Sequence, residues 1–318
     1  MTIAQGGLIQ ALDYNGLRTQ VSDILGTTGT GDVGYGQAVT ADTTVVSGTT
    51  IISSNPTTVK QWVALYNDMK KIADHQGTGI STLTTAYTNN VQSGKLIQFS
   101  DINLFSTTLT TLYNNRLNIA NGQYSIESLI SSSRTAEWGS PSQPTVQHSF
   151  TVTFASSDAA RYYFNSGGKI RFTPQLVPDI SSAQNSDWQA MLTAIGIVSF
   201  GHSSTSAYNS STGLSVGSPG SGFNQLSTTP LQIYTKGGNA ALGAVYYNND
   251  YTITATKNGA VLTFNVYFND DDTTRIPKNP LYDKVTGTLT NTVTILRPSG
   301  SNVSLAAPTA TNTTLLSA

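Results

Sequence analysis

The sequence predicts an α+β fold, mainly β with a helical N-terminal part, and three observations carry that prediction. Apolar residues recur at three- and four-residue steps through the first third of the chain. From Val146 onward they alternate with Ser, Thr and Asn, the period of two that half-buried strands require. The side chains suit the second pattern, because 15 Tyr and 10 Phe among many Thr fill pleated surfaces better than helices. The expected organisation is a helical docking or assembly domain over residues 1–130 and a linker over 131–145. An antiparallel-rich, β-sandwich-like domain with short helices follows over 146–298, then an extended C-terminal arm over 299–318 that reaches another subunit.

Asp13 opens the first helix, with Leu17, Val21, Ile24 and Leu25 on one side and Gly26 as its stop. A Gly/Thr-rich loop spans Thr27–Gly36, and a strand or hairpin is expected around Val39–Ile52. A second helix starts near Thr57; Val59, Trp62, Val63, Tyr66, Met69 and Ala73 form its stripe, which ends before Gly77. Asp101 caps a third, with Phe105, Leu109, Leu112 and Arg116 on one face. Helices this short are marginal alone in water, so each needs a partner face. Ser131–Pro144 is rich in Ser, Pro and Gly and reads as the linker.

Phe150, Val152 and Phe154 make the inner face of a strand. Ser156, Ser157 and Asp158 cap a helix running to Asn165; Gly167 and Gly168 close it, and Ile170 and Phe172 continue in a second strand. A short helix opens at Ser186 and Asp187, carries Trp188, Met191 and Leu192, and leads into a strand at Ile195–Phe200. Ser203–Thr229 is expected to be a long loop. Asn258 and Gly259 predict a two-residue hairpin pairing Ala255 with Leu262, Ile253 with Phe264 and Tyr251 with Val266. In Val285–Leu296, Thr286 to Thr294 at every second position face away from Val285, Leu289, Val293 and Ile295.

Only 10% of the 318 residues are charged and the net charge is −1, so hydroxyls and amides cover the surface and nothing long-range opposes packing against other subunits. The absence of Cys excludes disulfides, thiolate metal sites and a cysteine nucleophile. Sixteen Lys+Arg without clusters leave no electrostatic footprint for nucleic acid, and no apolar run is long enough to insert in a membrane. No secretory signal is expected at Met1–Gly16.

Motifs that mimic chemistry have bland contexts. Gly29, Gly31 and Gly34 fit G-x-G-x-x-G, but a helix precedes them where a nucleotide fold needs a strand, so a flexible loop is expected. Gly213, Ser215 and Gly217 fit G-x-S-x-G, yet His75, His148 and His202 all lie upstream and the flanks read as loop. Glu127 and Glu137, the only glutamates, sit near the expected linker, not across a cleft. Asp270, Asp271 and Asp272 lack the spacing of a calcium loop and read as a solvated turn. The histidines have no partner at metal-ligand spacing. The reading therefore contains no catalytic, cofactor or metal residues. Tyr208, Tyr234, Tyr246, Tyr247 and Tyr251, in or beside loops, are the candidate contacts to a glycan or a partner protein.

The segment His148–Phe172, with its Phe150/Val152/Phe154 strand, Ser156–Asp158 cap, Arg161–Phe164 helix and Gly167–Gly168 stop, resembles one that recurs in virion structural proteins of tailed bacteriophages. Gly34-Tyr35-Gly36-Gln37 after the Gly-rich loop, and the Trp62 helix ending in His75 and Gln76, are similar to the N-terminal part of the same group. Together they span about a third of the chain. The resemblance implies a non-enzymatic particle component of tail, neck or fibre, located in the virion after assembly in the host bacterial cytoplasm. Its partners would be itself, as trimer or ring, and other virion proteins. The alternative is a receptor-binding module for host-surface glycan. The group assigns no functional residues to these strings.

Overall fold

The computed structural model describes residues 11–41, 59–90, 97–140, 142–208, 215–237, 248–271 and 284–317. The chain divides into two compact units, each described by itself: Met1–Ser125 with Arg161–Gly167 and Pro298–Leu305, and Ile126–Ala160 with Gly168–Arg297 and Ala306–Ala318.

The first unit is helical. Its elements are α1 (Ala11–Leu25), α2 (Val59–Gln76), α3 (Ser81–Asn90) and α4 (Phe99–Asn114), with part of α5 (Ser157–Asn165). The stripe expected on α1 is buried, as are Phe105, Leu109 and Leu112 on α4, while Arg116, expected on the same face, lies beyond the helix end and is half-buried; on α2 Leu65 and Ile72 join Trp62, Tyr66 and Met69 while Val63 is half-buried. Trp62 is the hub: Tyr14 and Phe105 meet it edge-on with ring centroids at 5.3 and 5.2 Å, an arrangement aromatic quadrupoles favour. Asp101 is not the cap of α4 but its third residue; its carboxylate accepts from the Gln98 amide at 2.8 Å, as in a capping box. α3 was not expected. Most of the strand expected at Val39–Ile52 lies outside the described residues; 39–41 carry no regular structure.

The second unit is a sandwich of two antiparallel sheets with the remaining helix α6 (Ala183–Ile195). The strands are β1 (Tyr124–Arg134), β2 (Thr145–Thr153), β3 (Lys169–Val177), β4 (Ile197–Phe200), β5 (Ser204–Tyr208), β6 (Ser215–Ser221), β7 (Leu231–Gly237), β8 (Asp250–Asn258), β9 (Val261–Asn269), β10 (Thr288–Pro298) and β11 (Thr309–Ser317). One sheet runs β1-β10-β3-β4-β5-β6, the other β11-β2-β9-β8-β7. Their inner faces meet through aromatic rings: Phe172 lies 5.0 Å and Phe200 5.2 Å from Phe264, and Phe150 6.3 Å from Phe172. β6 and β7 abut so closely that a Cβ on Gly220 would run into the Ile233 carbonyl, so glycine is required there. The fold class is α+β, mainly β, as expected.

Several local expectations need correction. Residues 131–134 of the supposed linker are the end of β1, where Ser131 and Ser133 hydroxyls bond Thr292 and Thr290 of β10 at 3.0 Å each; a Ser-rich run can be a strand when its neighbour is also hydroxylated. Trp138 and Val285 form a bridge beyond it. The supposed free arm folds back on its own chain, because β11 pairs with β2 along its whole length. Residues 203–229, expected as loop, contain β5 and β6, with Thr205 and Ala207 buried. The hairpin turns at Gly259 and Ala260, so Ala255 faces Phe264 and Tyr251 faces Phe268. Only Gly259 has positive φ, +59°, the sign pattern of a II′ turn.

Candidate functional site

Parts of three stretches singled out in the sequence meet inside the first unit: the Gly-rich loop with Tyr35, the end of α2, and residues Arg161–Gly167. The Gly-rich loop leaves α1 at Gly26 and is tied back at once: Gly36 N donates to Gly26 O at 3.1 Å and Gln37 N to Leu25 O at 2.9 Å. The C-terminal half of α5 supplies donors to the loop's carbonyls. Arg161 Nη1 donates to Val33 O, Asn165 Nδ2 to Val33 O at 2.8 Å and Gly31 O at 3.2 Å, and Tyr162 Oη to Thr27 O at 3.1 Å. Tyr162 also lies flat where a side chain at Gly36 would be; a Cβ there would overlap its ring, and Gly36 has φ +70°. Arg161 stacks on the same ring at 4.6 Å.

Tyr35, in the middle of this loop, is buried against the end of α2. Its ring meets His75 edge-on at 5.1 Å, and its hydroxyl accepts from Gln76 Nε2 at 2.8 Å while donating to Arg116 O at 2.6 Å. Gln76 Nε2 donates also to Leu112 O at 2.9 Å. His75 Nε2 lies 2.9 Å from Ser166 O; a carbonyl only accepts, so Nε2 carries the proton. Burial pushes the His75 pKa down, partly opposed by that bond, and the imidazole is neutral at pH 7. Burial pushes the Tyr35 hydroxyl well above its ordinary pKa. Asp68, two helical turns before His75 and fully buried, accepts from the amides of Thr40 and Ala41 and the Thr40 hydroxyl, each at 2.7 Å, and pairs with Lys71 at 2.8 Å.

This arrangement holds polypeptide. Most of these polar groups are turned on another segment's backbone, and among the described residues neither ring nitrogen of His75 hydrogen-bonds a hydroxyl. The loop offers α5 its carbonyls, whereas a phosphate needs converging N–H groups. It follows a helix and, among the described residues, no strand feeds it. The expectation of a flexible loop is therefore replaced by a pinned one. Sequence reading singled out the strings but not their contact; the polar tips of α5, Arg161, Tyr162 and Asn165, were the available signal.

The other sequence candidates are dispersed. Tyr234 and Tyr251 are buried in the sandwich, rings 6.0 Å apart, and their hydroxyl pKa values are pushed up by that burial; neither ring can stack on a sugar. Tyr208 ends β5, paired in register with Ile197 and Ser215, while Tyr246 and Tyr247 lie outside the described residues. Ser215 starts a strand instead of an elbow before a helix. Glu127 pairs with Arg297 at 2.6 Å and Glu137 with Lys284 at 2.5 Å, so the two glutamates are engaged separately. Asp270, expected in a solvated turn, is buried, receives the Gln184 amide, and its backbone N donates to Pro144 O at 3.0 Å. Asp271 is exposed and Asp272 lies outside the described residues. His202 Nδ1 sits 2.8 Å from the Ser203 hydroxyl. His148 is fully buried in the sandwich, and neither ring nitrogen has a hydrogen-bond partner among the described residues. Among the described residues no three potential ligands gather around a metal position, and no helix is long and apolar enough to cross a membrane.

No protein-family model matches the sequence, and neither the curated proteins nor the solved structures include a match to it.

Proposed function

We propose that this chain is a non-enzymatic structural component of a tailed-phage particle, in its tail, neck or fibre apparatus, and that it works through assembly with copies of itself and with other virion proteins. The observation that supports this most is the convergence at Tyr35, His75, Tyr162 and Ser166. Residues of the three strings with a phage resemblance are spent on one another, His75 on the Ser166 carbonyl, Gln76 on the Tyr35 hydroxyl and the Tyr162 ring against Gly36, instead of framing a cleft with a nucleophile and a base. Residues used in this way build a rigid part.

The surface supports the same reading. The solvent-side face of β10 presents Thr288, Thr290, Thr292 and Thr294, and the overall charge is close to zero. Such a face can be covered by protein without desolvating charges. The test is quantitative mass spectrometry of tailed particles from cells making this chain, followed through successive density gradients. The expected result is a constant ratio of this chain to the major particle proteins. Loss of the chain into the soluble fraction during purification would overturn the proposal.

A further inference from the structure

We propose that the groove between the last turns of α1 and α4 is a socket for an arginine side chain presented by a neighbouring chain. It rests on the assembly reading and adds to it the place and the chemistry of a contact.

The groove holds about 340 Å³, at the small end of pockets that take ligands. Gln20, Asp23 and Ile24 reach it from α1 at the three- and four-residue steps that share one helix face, and Leu109 and Tyr113 reach it from α4 at a step of four. Val33 of the Gly-rich loop adds a further wall. Ile24 and Leu109 belong to the buried core, so the lining is apolar on that side, whereas Asp23 is half-buried and Tyr113 is 44% exposed.

Asp23 is at odds with its surroundings. It stands in the last turn of α1, the negative end of the helix dipole, where a carboxylate is disfavoured and no basic residue offsets it. Burial pushes its pKa up with no cation opposing the shift, and its side chain has no hydrogen bond or ion pair among the described residues. The chain's own guanidinium groups do not serve it. Arg116 lies over the Tyr113 ring at 4.4 Å, but its Nε donates to Asp32 O at 2.9 Å and its Nη1 to Tyr113 O at 3.1 Å. Arg18, on the same helix as Asp23, is turned to Ala41 O at 3.3 Å.

A cation on an apolar stem satisfies every wall. Asp23 meets the charge, Gln20 offers an amide oxygen, Tyr113 an aromatic surface, and Ile24, Val33 and Leu109 pack on the methylenes. Arginine fits better than lysine, because a guanidinium is more weakly hydrated and gives a carboxylate two parallel N–H groups. A neighbouring chain fits better than a free guanidine compound, because its backbone would also cover the exposed rim at Thr110 and Tyr113.

The test is a low-salt titration of the full chain with N-acetyl-arginine methylamide, followed by the methyl NMR signals of Ile24, Val33 and Leu109. Saturable binding with a Kd of about 1–10 mM is expected. The citrulline analogue, of the same shape without the charge, should bind at least about tenfold more weakly, as should the arginine probe to Asp23→Asn. Tyr113→Leu should weaken binding about two- to fivefold. Asp23→Asn keeps the side chain's size and removes a charge that burial already disfavours, so the variant folds. No saturation up to about 50 mM overturns the inference, as does a Kd indifferent to Asp23→Asn or to loss of the probe's charge. A lysine analogue that binds as tightly overturns the choice of arginine. In the particle measurement, Asp23→Arg should lower the content of this chain at least about tenfold, since two cations then meet in the groove. Undiminished content overturns the neighbouring chain as the source. The two readings fail separately. A chain that binds the probe but leaves the particles keeps the site and loses the assembly role; one that stays with particles but ignores the probe keeps that role and loses the site.

Discussion

His75 Nε2 donates to the carbonyl of Ser166, 91 positions later, and that bond joins the end of α2 to the end of α5 within the helical unit. Both residues are essentially fully buried, so the carbonyl has no water to replace a lost donor. His75→Leu is expected to cost about 1–3 kcal/mol, read as a lower denaturation midpoint in urea. A variant as stable as wild type would show that the bond contributes nothing to holding α5.

Gly36 and Gly31 separate two effects on the same loop. Both have positive φ, +70° and +61°, but only Gly36 faces a ring; nothing lies near a Cβ at Gly31. Gly31→Ala should cost about 1–2 kcal/mol from backbone conformation alone. Gly36→Ala should cost about 1–3 kcal/mol more, because Tyr162 must move and release Thr27 O. Equal losses of thermal stability in the two variants would contradict the packing of Tyr162 on this loop.

His148 sets a pH dependence of defined sign. Burial, with a smaller contribution from the Arg134 charge, lowers its pKa from 6.5 to about 4. Between those values the unfolded chain holds a proton that the folded chain does not, so stability falls as pH drops from 6.5 towards 4 and is level above that window with respect to this group. The full effect is about 3 kcal/mol. His148→Phe, placed against Phe150 and Phe268, should flatten the profile. A residual slope of the same sign should remain from His75, whose pKa is also lowered. An unchanged profile in urea melts at about pH 4.5 and about pH 7 would contradict the buried neutral state.

The β8–β9 hairpin shows how far the sequence could be read. Its inner set, Tyr251, Ile253, Ala255, Leu262, Phe264, Val266 and Phe268, is as expected, but each pair is displaced by two residues from the expected partners. A slip of one would have exchanged faces, whereas a slip of two leaves every side chain on its own face and is invisible to a period-two pattern. The turn decides it: Gly259 takes the positive φ and Asn258 does not. Gly259→Ala should therefore cost about 1 kcal/mol or more, and Asn258→Ala less than about 0.5. Equal costs would favour the other register.

Elsewhere, what escaped sequence reading was tertiary. α3 is Thr-rich and a weak helix by propensity. It is held because Leu83 is buried and Tyr87 stacks on Tyr66 at 3.8 Å, against the slight weakening from Thr84, Thr85 and Thr88 hydroxyls that bond carbonyls four residues back. Asp270 looked solvated because its partner Gln184 is 86 positions away. β11 looked like a free arm because its large apolar residues, Leu315 and Leu316, are adjacent and mark no period of two, yet it completes the edge beside β2. Of the candidate site, the three strings were legible and their meeting point was not. Local periodicity fixes faces, while distant polar partners are chosen by the fold.

The most direct test of the account is imaging of intact tailed particles at a resolution that shows side chains. The account predicts symmetry-related copies of this chain, recognisable by Trp62 between Tyr14 and Phe105 and by the Tyr162 ring over Gly36. Particles fully traced without this chain, with the protein left in solution acting on a substrate, would contradict it.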